Sequence, residues 1–167
     1  MSHIRRIGRP GDLGWIVQAH GELYAAEYGF DGTFEALVAR IVADFANDHD
    51  PVREAGWIAE VDGRRAGCIL CVAGADAVTA KLRILLVDPV ARGRGVGARL
   101  VDTCLAFARE GGYRRVTLWT NDNLVSARKL YRSRGFELVE QEPHRSFGRE
   151  LVGQYWALDL DRATERG

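Results

Sequence analysis

With 167 residues the chain has room for one domain with a full core and too little for two. Its 23 Lys and Arg balance its 23 Asp and Glu, which excludes binding to nucleic acid through bulk positive charge. No run approaches the roughly 20 apolar residues of a membrane span, residues 1–6 lack the apolar stretch of a secretory leader, and Cys68, Cys71 and Cys104 fit no disulfide framework. A cytoplasmic protein with reduced thiols is expected, one that binds no metal, nucleic acid or membrane.

The pattern predicts a short strand over about residues 3–7. The turn cluster Arg9-Pro10-Gly11-Asp12 follows, with Asp12 placed to cap a helix. That helix carries Leu13, Ile16, Val17, Leu23 and Tyr24 on its apolar side and ends near Gly29. A second helix repeats Phe34, Leu37, Val38, Ile41, Val42 and Phe45 until residues 47–51 break it. Strands over 57–61 and 66–73 form a hairpin through Asp62-Gly63. Cys68 and Cys71 lie three apart in the second of these, so they point to opposite faces as packing residues.

A third strand over 80–87 is apolar enough to be central and stops at Asp88-Pro89. After a glycine-rich loop comes a helix with Leu100, Val101, Cys104, Leu105 and Ala108 inward, ended by Gly111-Gly112. A strand over 116–120 follows, and Asn121-Asp122-Asn123 opens a last helix containing Ala127, Leu130 and Tyr131, closed by Gly135. Two late strands, 136–142 and 151–160, flank a polar loop over 143–150, and the charged residues 161–167 are expected to fray. The order β-α-α-β-β-β-α-β-α-β-β describes a single α/β domain, residues 1–167, with a mixed sheet. The charged pairs Arg5-Arg6 and Arg64-Arg65 are expected on solvated faces.

The loop Arg92-Gly93-Arg94-Gly95-Val96-Gly97 carries the chemistry. Glycines at alternate positions let the backbone approach a ligand and adopt conformations closed to other residues. Their N–H groups and the helix start that follows form a site of partial positive charge suited to a pyrophosphate, with Arg92 and Arg94 at the rim. No nucleoside-triphosphate P-loop is present. Gly93, Gly95 and Ala98 satisfy G-x-G-x-x-A, the dinucleotide fingerprint of a nicotinamide oxidoreductase. In that fold, however, the first glycine follows its strand almost at once, and here residues 88–92 intervene, with too little chain beyond for a doubly wound sheet.

Arg92, Gly95 and Gly97 match [QR]-x-x-G-x-[GA], and residues 87–97 resemble the pyrophosphate loop of GNAT acetyltransferases. About 40 residues later, Asn123, Ala127, Leu130, Tyr131 and Gly135-Phe136 resemble that family's second motif. Asn123 stands eight residues before Tyr131 where seven is commoner, so Asn121 is a candidate for the same role. The segment Pro143-His144-Arg145-Ser146-Phe147-Gly148 resembles GNAT domains fused to winged-helix (MarR-type) regulators, although no DNA-binding module is expected in this chain.

The resemblance implies a GNAT-like sheet with a splayed central strand pair. It implies acetyl-CoA held by Leu85, Val87, Arg92, Gly93, Arg94, Gly95, Gly97, Ala98, Asn123, Ala127 and Tyr131, and acetyl transfer to an amine of a small molecule or protein by direct attack in a ternary complex. Tyr131 is the implied acid for the leaving thiolate; the other reading of its position is a tyrosine packed beside Leu130 and Phe136. Asn123 reads equally as a helix cap. The family's usual glutamate is missing, since the strand over 80–87 holds only Lys81 and Arg83. The base is therefore sought among Glu27, His144, His20, Glu22 and Asp88, with Tyr24, Tyr28 and Trp156 as candidates to line the acceptor pocket. The rival function is an acyl-CoA sensing module without turnover. Monomer and homodimer are both compatible with the sequence.

Overall fold

The computed structural model describes residues 2–161, so the tail expected to fray lies, from residue 162 on, outside the described residues. The elements run β1 (Ser2–Arg6), α1 (Asp12–Tyr28), α2 (Gly32–Asp48), β2 (Ala55–Val61), β3 (Arg64–Ala73), β4 (Thr79–Val87), α3 (Val96–Glu110), β5 (Arg115–Asn121), α4 (Val125–Ser133), β6 (Glu137–Ser146) and β7 (Arg149–Asp159). They build a seven-stranded sheet of order β1-β2-β3-β4-β5-β7-β6. Every neighbouring pair is antiparallel except β4 with β5.

Two apolar layers sandwich this sheet. On one face Leu100, Val101, Cys104, Leu105 and Ala108 of α3 and Tyr131 of α4 pack on Trp57, Ile69, Cys71, Leu82, Val116 and Trp156. On the other, Ile16 of α1 and Val38 and Val42 of α2 pack on Ile58, Cys68 and Leu86. Cys68 and Cys71 thus occupy opposite layers, as the strand period requires, and all three cysteines are buried free thiols. Trp156 is a core residue on the α3–α4 face, which removes it as an acceptor-pocket candidate.

The β2–β3 turn at Asp62-Gly63 takes the left-handed conformation at both residues (φ 52° and 78°), as a two-residue hairpin demands. The same device explains an expectation that failed. The region over 143–150 is no loop, because β6 and β7 run on to Ser146 and Arg149 and join through Phe147-Gly148, with φ of 58° and 77°. Phenylalanine rarely accepts positive φ, and the compensation is visible in its ring contacts. Phe147 packs 5.1 Å from Phe30 and 5.0 Å from Phe34 (ring centroids), and its carbonyl accepts from Asp31 N. The hairpin tip is thereby stapled to the α1–α2 connection.

Asp12 does not cap α1. Gly11 occupies the cap position, and the fully buried Asp12 carboxylate accepts from Arg5 (2.8 and 2.9 Å), Arg65 Nε (2.8 Å) and the backbone N–H groups of Gly8 and Arg9. Those donors, Arg5 first, hold its carboxyl far below the usual carboxylate range. The pairs read as solvated faces are therefore structural in part: Arg5 and Arg65 close this network, and Arg6 lies over Trp57 and Phe107. α2 is capped at Asp31, whose side chain accepts from Thr33 N.

Candidate active site

β4 and β5 pair only through Thr79↔Arg115, Ala80↔Val116 and Lys81↔Thr117. Beyond Lys81 the strands part, and the edge of Leu82–Val87 that faces β5 has no partner strand. Within this stretch β4 carries an irregularity against β3, and Ile84 sits at φ 48°. Such a bulge bends its strand and increases the local twist. The expected splay is therefore present, and the bulge lies on the strand that turns away.

A cleft of about 330 Å³ opens where the strands part. Leu85, Leu86 and Val87 form its wall on β4, residues of the glycine loop its floor, Leu124, Ser126, Ala127 and Leu130 one flank, and Leu23, Tyr24, Glu27 and Tyr28 of α1 the other. Of the expected donor-site residues it is lined by Leu85, Val87, Arg92, Gly93, Gly95, Gly97 and Ala127. Arg94, Ala98, Asn123 and Tyr131 are not in its lining. Arg94 instead lies 3.7 Å from Asp62 of the β2–β3 turn.

The loop glycines divide their work. Gly93 and Gly95 are left-handed (φ 79° and 74°), and a β-carbon on either would meet open space, so these positions need glycine for conformation. Gly97 is helical; a β-carbon there would lie 3.3 Å from Leu130 and 3.4 Å from Val87, so it is small to let α3 approach α4 and β4. Gly95 is the N-cap of α3 and has no capping side chain, which leaves the first N–H groups of the helix facing the cleft region as anion donors. A short 3₁₀ turn at Pro89–Ala91, capped by Asp88, carries the chain from β4 into this loop.

The second motif is arranged differently from its sequence reading. α4 begins at Val125 with Leu124 as N-cap and no side-chain cap bond, so Asn123 is not the cap. Asn123 Oδ1 is instead buried without a partner, as is Arg128 Nε one turn on, beside the Leu124–Ala127 flank of the cleft. Two orphaned buried polar atoms beside a cleft floored by free helix N–H groups suit a ligand rich in phosphates and amides. The residues present therefore fit acetyl-CoA.

Tyr131 is 5% exposed, edge-on to Phe136 at 5.7 Å, and burial pushes its phenol well above the usual tyrosine range. The packing reading of this residue describes its place: it lies in the core beside Phe136, outside the lining of the cleft. Tyr24, which lines the cleft, is pushed up by burial and then by the neighbouring Tyr131. Glu27 is engaged by Arg92, with Nη2 at 2.8 and 2.9 Å from its two oxygens, and this pair raises the Arg92 guanidinium. His20 is 1% exposed. Its Nδ1–H donates to Ile16 O at 2.7 Å, Nε2 has no partner, and burial pushes its pKa down to about 4. A neutral interior histidine of this kind does not meet a substrate amine.

His144 lies on β6 beside the far end of β5. Nε2 faces Asn121 Oδ1 and Nδ1 faces Ser146 Oγ, both at 2.9 Å, and the ring is 6.1 Å from Trp119. Sequence reasoning found His144 and missed Asn121 as its partner, along with Trp119 and Ser126. The aromatic cluster of Tyr24, Tyr28, Phe30, Phe34 and Phe147 also went unread, because its last member arrives through the unexpected hairpin tip.

Residues 17–136 match the acetyltransferase (GNAT) family model, which is well over half of the chain. The chain belongs to the GNAT acetyltransferase family. It is 36% identical over 89 residues to human N-acetyltransferase 8B, covering 51% of this chain and 39% of that protein. It is 42% identical over 64 residues to mycothiol acetyltransferase of Beutenbergia cavernae, covering 38% and 22% of the respective chains. The chain thus spans well under half the length of these relatives. An acetyltransferase from Salmonella typhimurium, solved with acetyl-CoA, superposes with a TM-score of 0.77 at 19% identity over 96% of this chain and 94% of that one, which shows the shared fold. GNAT acetyltransferases use acetyl-CoA. Among the described residues no helix is long and apolar enough to cross a membrane, and no cluster of His, Cys, Asp and Glu is suited to a metal.

Proposed function

We propose that this GNAT protein is an N-acetyltransferase that moves an acetyl group from acetyl-CoA to a primary amine of a small molecule or protein, by direct attack in a ternary complex. The observation that carries this reading is the parting of β4 from β5 onto a cleft floored by left-handed glycines and the open start of α3. Acetyl-CoA supplies an activated acyl thioester. The backbone N–H groups of residues 93–98 hold its pyrophosphate, Arg92 and Arg94 add charge at the rim, and the free edge of Leu85 and Val87 offers amide partners. Asn123 and Ala127 sit along the α4 flank.

Tyr131 Oη, kept protonated by its burial, would donate a hydrogen bond to the departing thiolate, which takes its proton from solvent. In the tautomer with Nε2–H donating to Asn121 Oδ1, His144 carries a lone pair on Nδ1. There it accepts from Ser146 Oγ and takes a proton from the acceptor by way of that hydroxyl. Glu27 serves as the counter-ion of Arg92. In this reading the protein works in the cytoplasm as a monomer or homodimer, apart from nucleic acid and membrane.

One observation favours a second reading, acyl-CoA sensing without turnover: β4 carries no carboxylate, and the Glu27 carboxylate at the cleft is engaged by Arg92. The resemblance of residues 143–148 to domains fused to winged-helix regulators belongs with it. Thiol release from acetyl-CoA against a panel of amines and lysine peptides decides between the two. Transferase action predicts release that depends on the acceptor and falls about 100-fold in Tyr131→Phe with CoA affinity unchanged. Tight CoA binding with no release on any acceptor supports the sensor.

A further inference from the structure

α1 and α2 cover the sheet only over its β1–β4 half, where Ile58, Cys68 and Leu86 meet Ile16, Val38 and Val42. On the same face the β5–β7–β6 half carries no helix layer among the described residues. The register places Trp119 beside Tyr155 and Tyr155 beside Glu140, then Asn121 beside Gly153 and Gly153 beside Glu142, with His144 on the next row. Trp119 is 50% exposed. A β-carbon on Gly153 would lie 2.0 Å from Trp119 Cζ2, so the indole lies flat across the β7 backbone. The His144 ring stands 6.1 Å away at 52°. This platform borders the β5 side of the parted strands.

We infer that the acceptor is an arylalkylamine, a primary ammonium on a short chain from a flat aromatic body, seated on Trp119 and Tyr155 with its ammonium between Glu142 and His144. The inference rests on the transferase reading for the role of the ligand and on the platform for its chemistry. An exposed indole face attracts a cation and stacks a flat ring. Glu140 and Glu142, both exposed on this face, supply the opposite charge. An amino acid would need a cation for its carboxylate, and the nearby guanidinium groups are placed elsewhere. Arg149 lies against Gly29, Arg145 is 3.9 Å from Glu150, and Arg83 faces Asp44. Lys81 stands beside Thr117 in the last paired row, where the strands part, and could meet such a carboxylate, so this face selects its ligand by the aromatic body and the ammonium.

The test is calorimetric titration of 2-phenylethylamine and butylamine into the protein saturated with CoA, where no turnover occurs. The expected result is 2-phenylethylamine binding at least ~10-fold more tightly than butylamine, a preference of the size expected for a cation–π contact with stacking. Trp119→Ala and Trp119→Leu both abolish the preference with CoA affinity unchanged, the leucine keeping Gly153 covered. Equal or tighter binding of butylamine overturns the inference, as does a preference that survives in both variants. Selective binding with no thiol release means that the transferase reading has failed while the platform stands. Thiol release with amines whose KM ignores Trp119 means the reverse.

Discussion

Replacing Glu27 by Gln separates two roles for the carboxylate that faces the cleft. The Arg92–Glu27 contacts are short, 2.8 and 2.9 Å, but the side chains are 49% and 28% exposed. A pair so open to solvent contributes at most about 1 kcal/mol to folding, so Tm moves by less than about 4 °C. In the ligand-free protein Arg92 is held by Glu27, and a phosphate must compete for it. Glu27→Gln removes that competitor, and CoA then binds up to about 5-fold more tightly, the equivalent of the same 1 kcal/mol. Arg92→Ala loses a charge-assisted hydrogen bond worth about 1.5–3 kcal/mol, which weakens CoA by roughly 10- to 150-fold. Calorimetric CoA titration together with kcat at saturating acetyl-CoA reads both terms, and kcat of Glu27→Gln should stay within about 3-fold of the parent. A fall in kcat of about 100-fold or more with CoA affinity unmoved would refute this reasoning and make Glu27 the general base.

Gly97→Val forces a branched side chain into the 3.3–3.4 Å gap to Leu130 and Val87; it should cost about 1–3 kcal/mol in chemical denaturation and weaken CoA binding, while Gly97→Ala needs a shift of only tenths of an ångström. Asp12→Ala leaves the mostly buried Arg5 without its main partner, a loss of about 3–5 kcal/mol that should lower Tm by about 10 °C while CoA affinity at low temperature is kept. His20 is pushed down to about 4, so the unfolded chain binds more protons than the native one between that value and the ordinary histidine pKa. Stability should therefore fall by about 3 kcal/mol as pH drops from 7 to 4, and urea unfolding of His20→Leu should show a flatter curve.

The glycine loop and the strand beside it were legible because their signals are local. The alternate glycines of residues 93–97 specify their own backbone, and the apolar run over 80–87 marks a central strand wherever it falls. The Trp119 platform was not, because it is made by pairing between distant segments. Trp119 looks like any strand aromatic until Gly153 arrives opposite it, two places from its register partner Tyr155. Likewise Phe147 sits in a turn that its residue type disfavours, and only Phe30 and Phe34, more than a hundred positions earlier, explain why it is held there. Asp12 shows the same blindness in charge: its cap position was a sound local guess, and Arg65 from β3 outweighed it. The bulge at Ile84 left no sequence signal, since an isoleucine at positive φ is contrary to its preference.

The short ladder between β4 and β5 also acts as a lever. Three residue pairs fasten two halves of the sheet at one end, and the six residues Leu82–Val87 reach away from that fulcrum. At about 3.3 Å per residue the arm is roughly 20 Å long, so a rotation of about 3° at the fulcrum displaces its tip by about 1 Å. Misplacement on that scale is enough to slow an enzymatic reaction about 100-fold. Ala80 and Thr117, both buried in that short ladder, therefore set the alignment of residues at the far end of the arm.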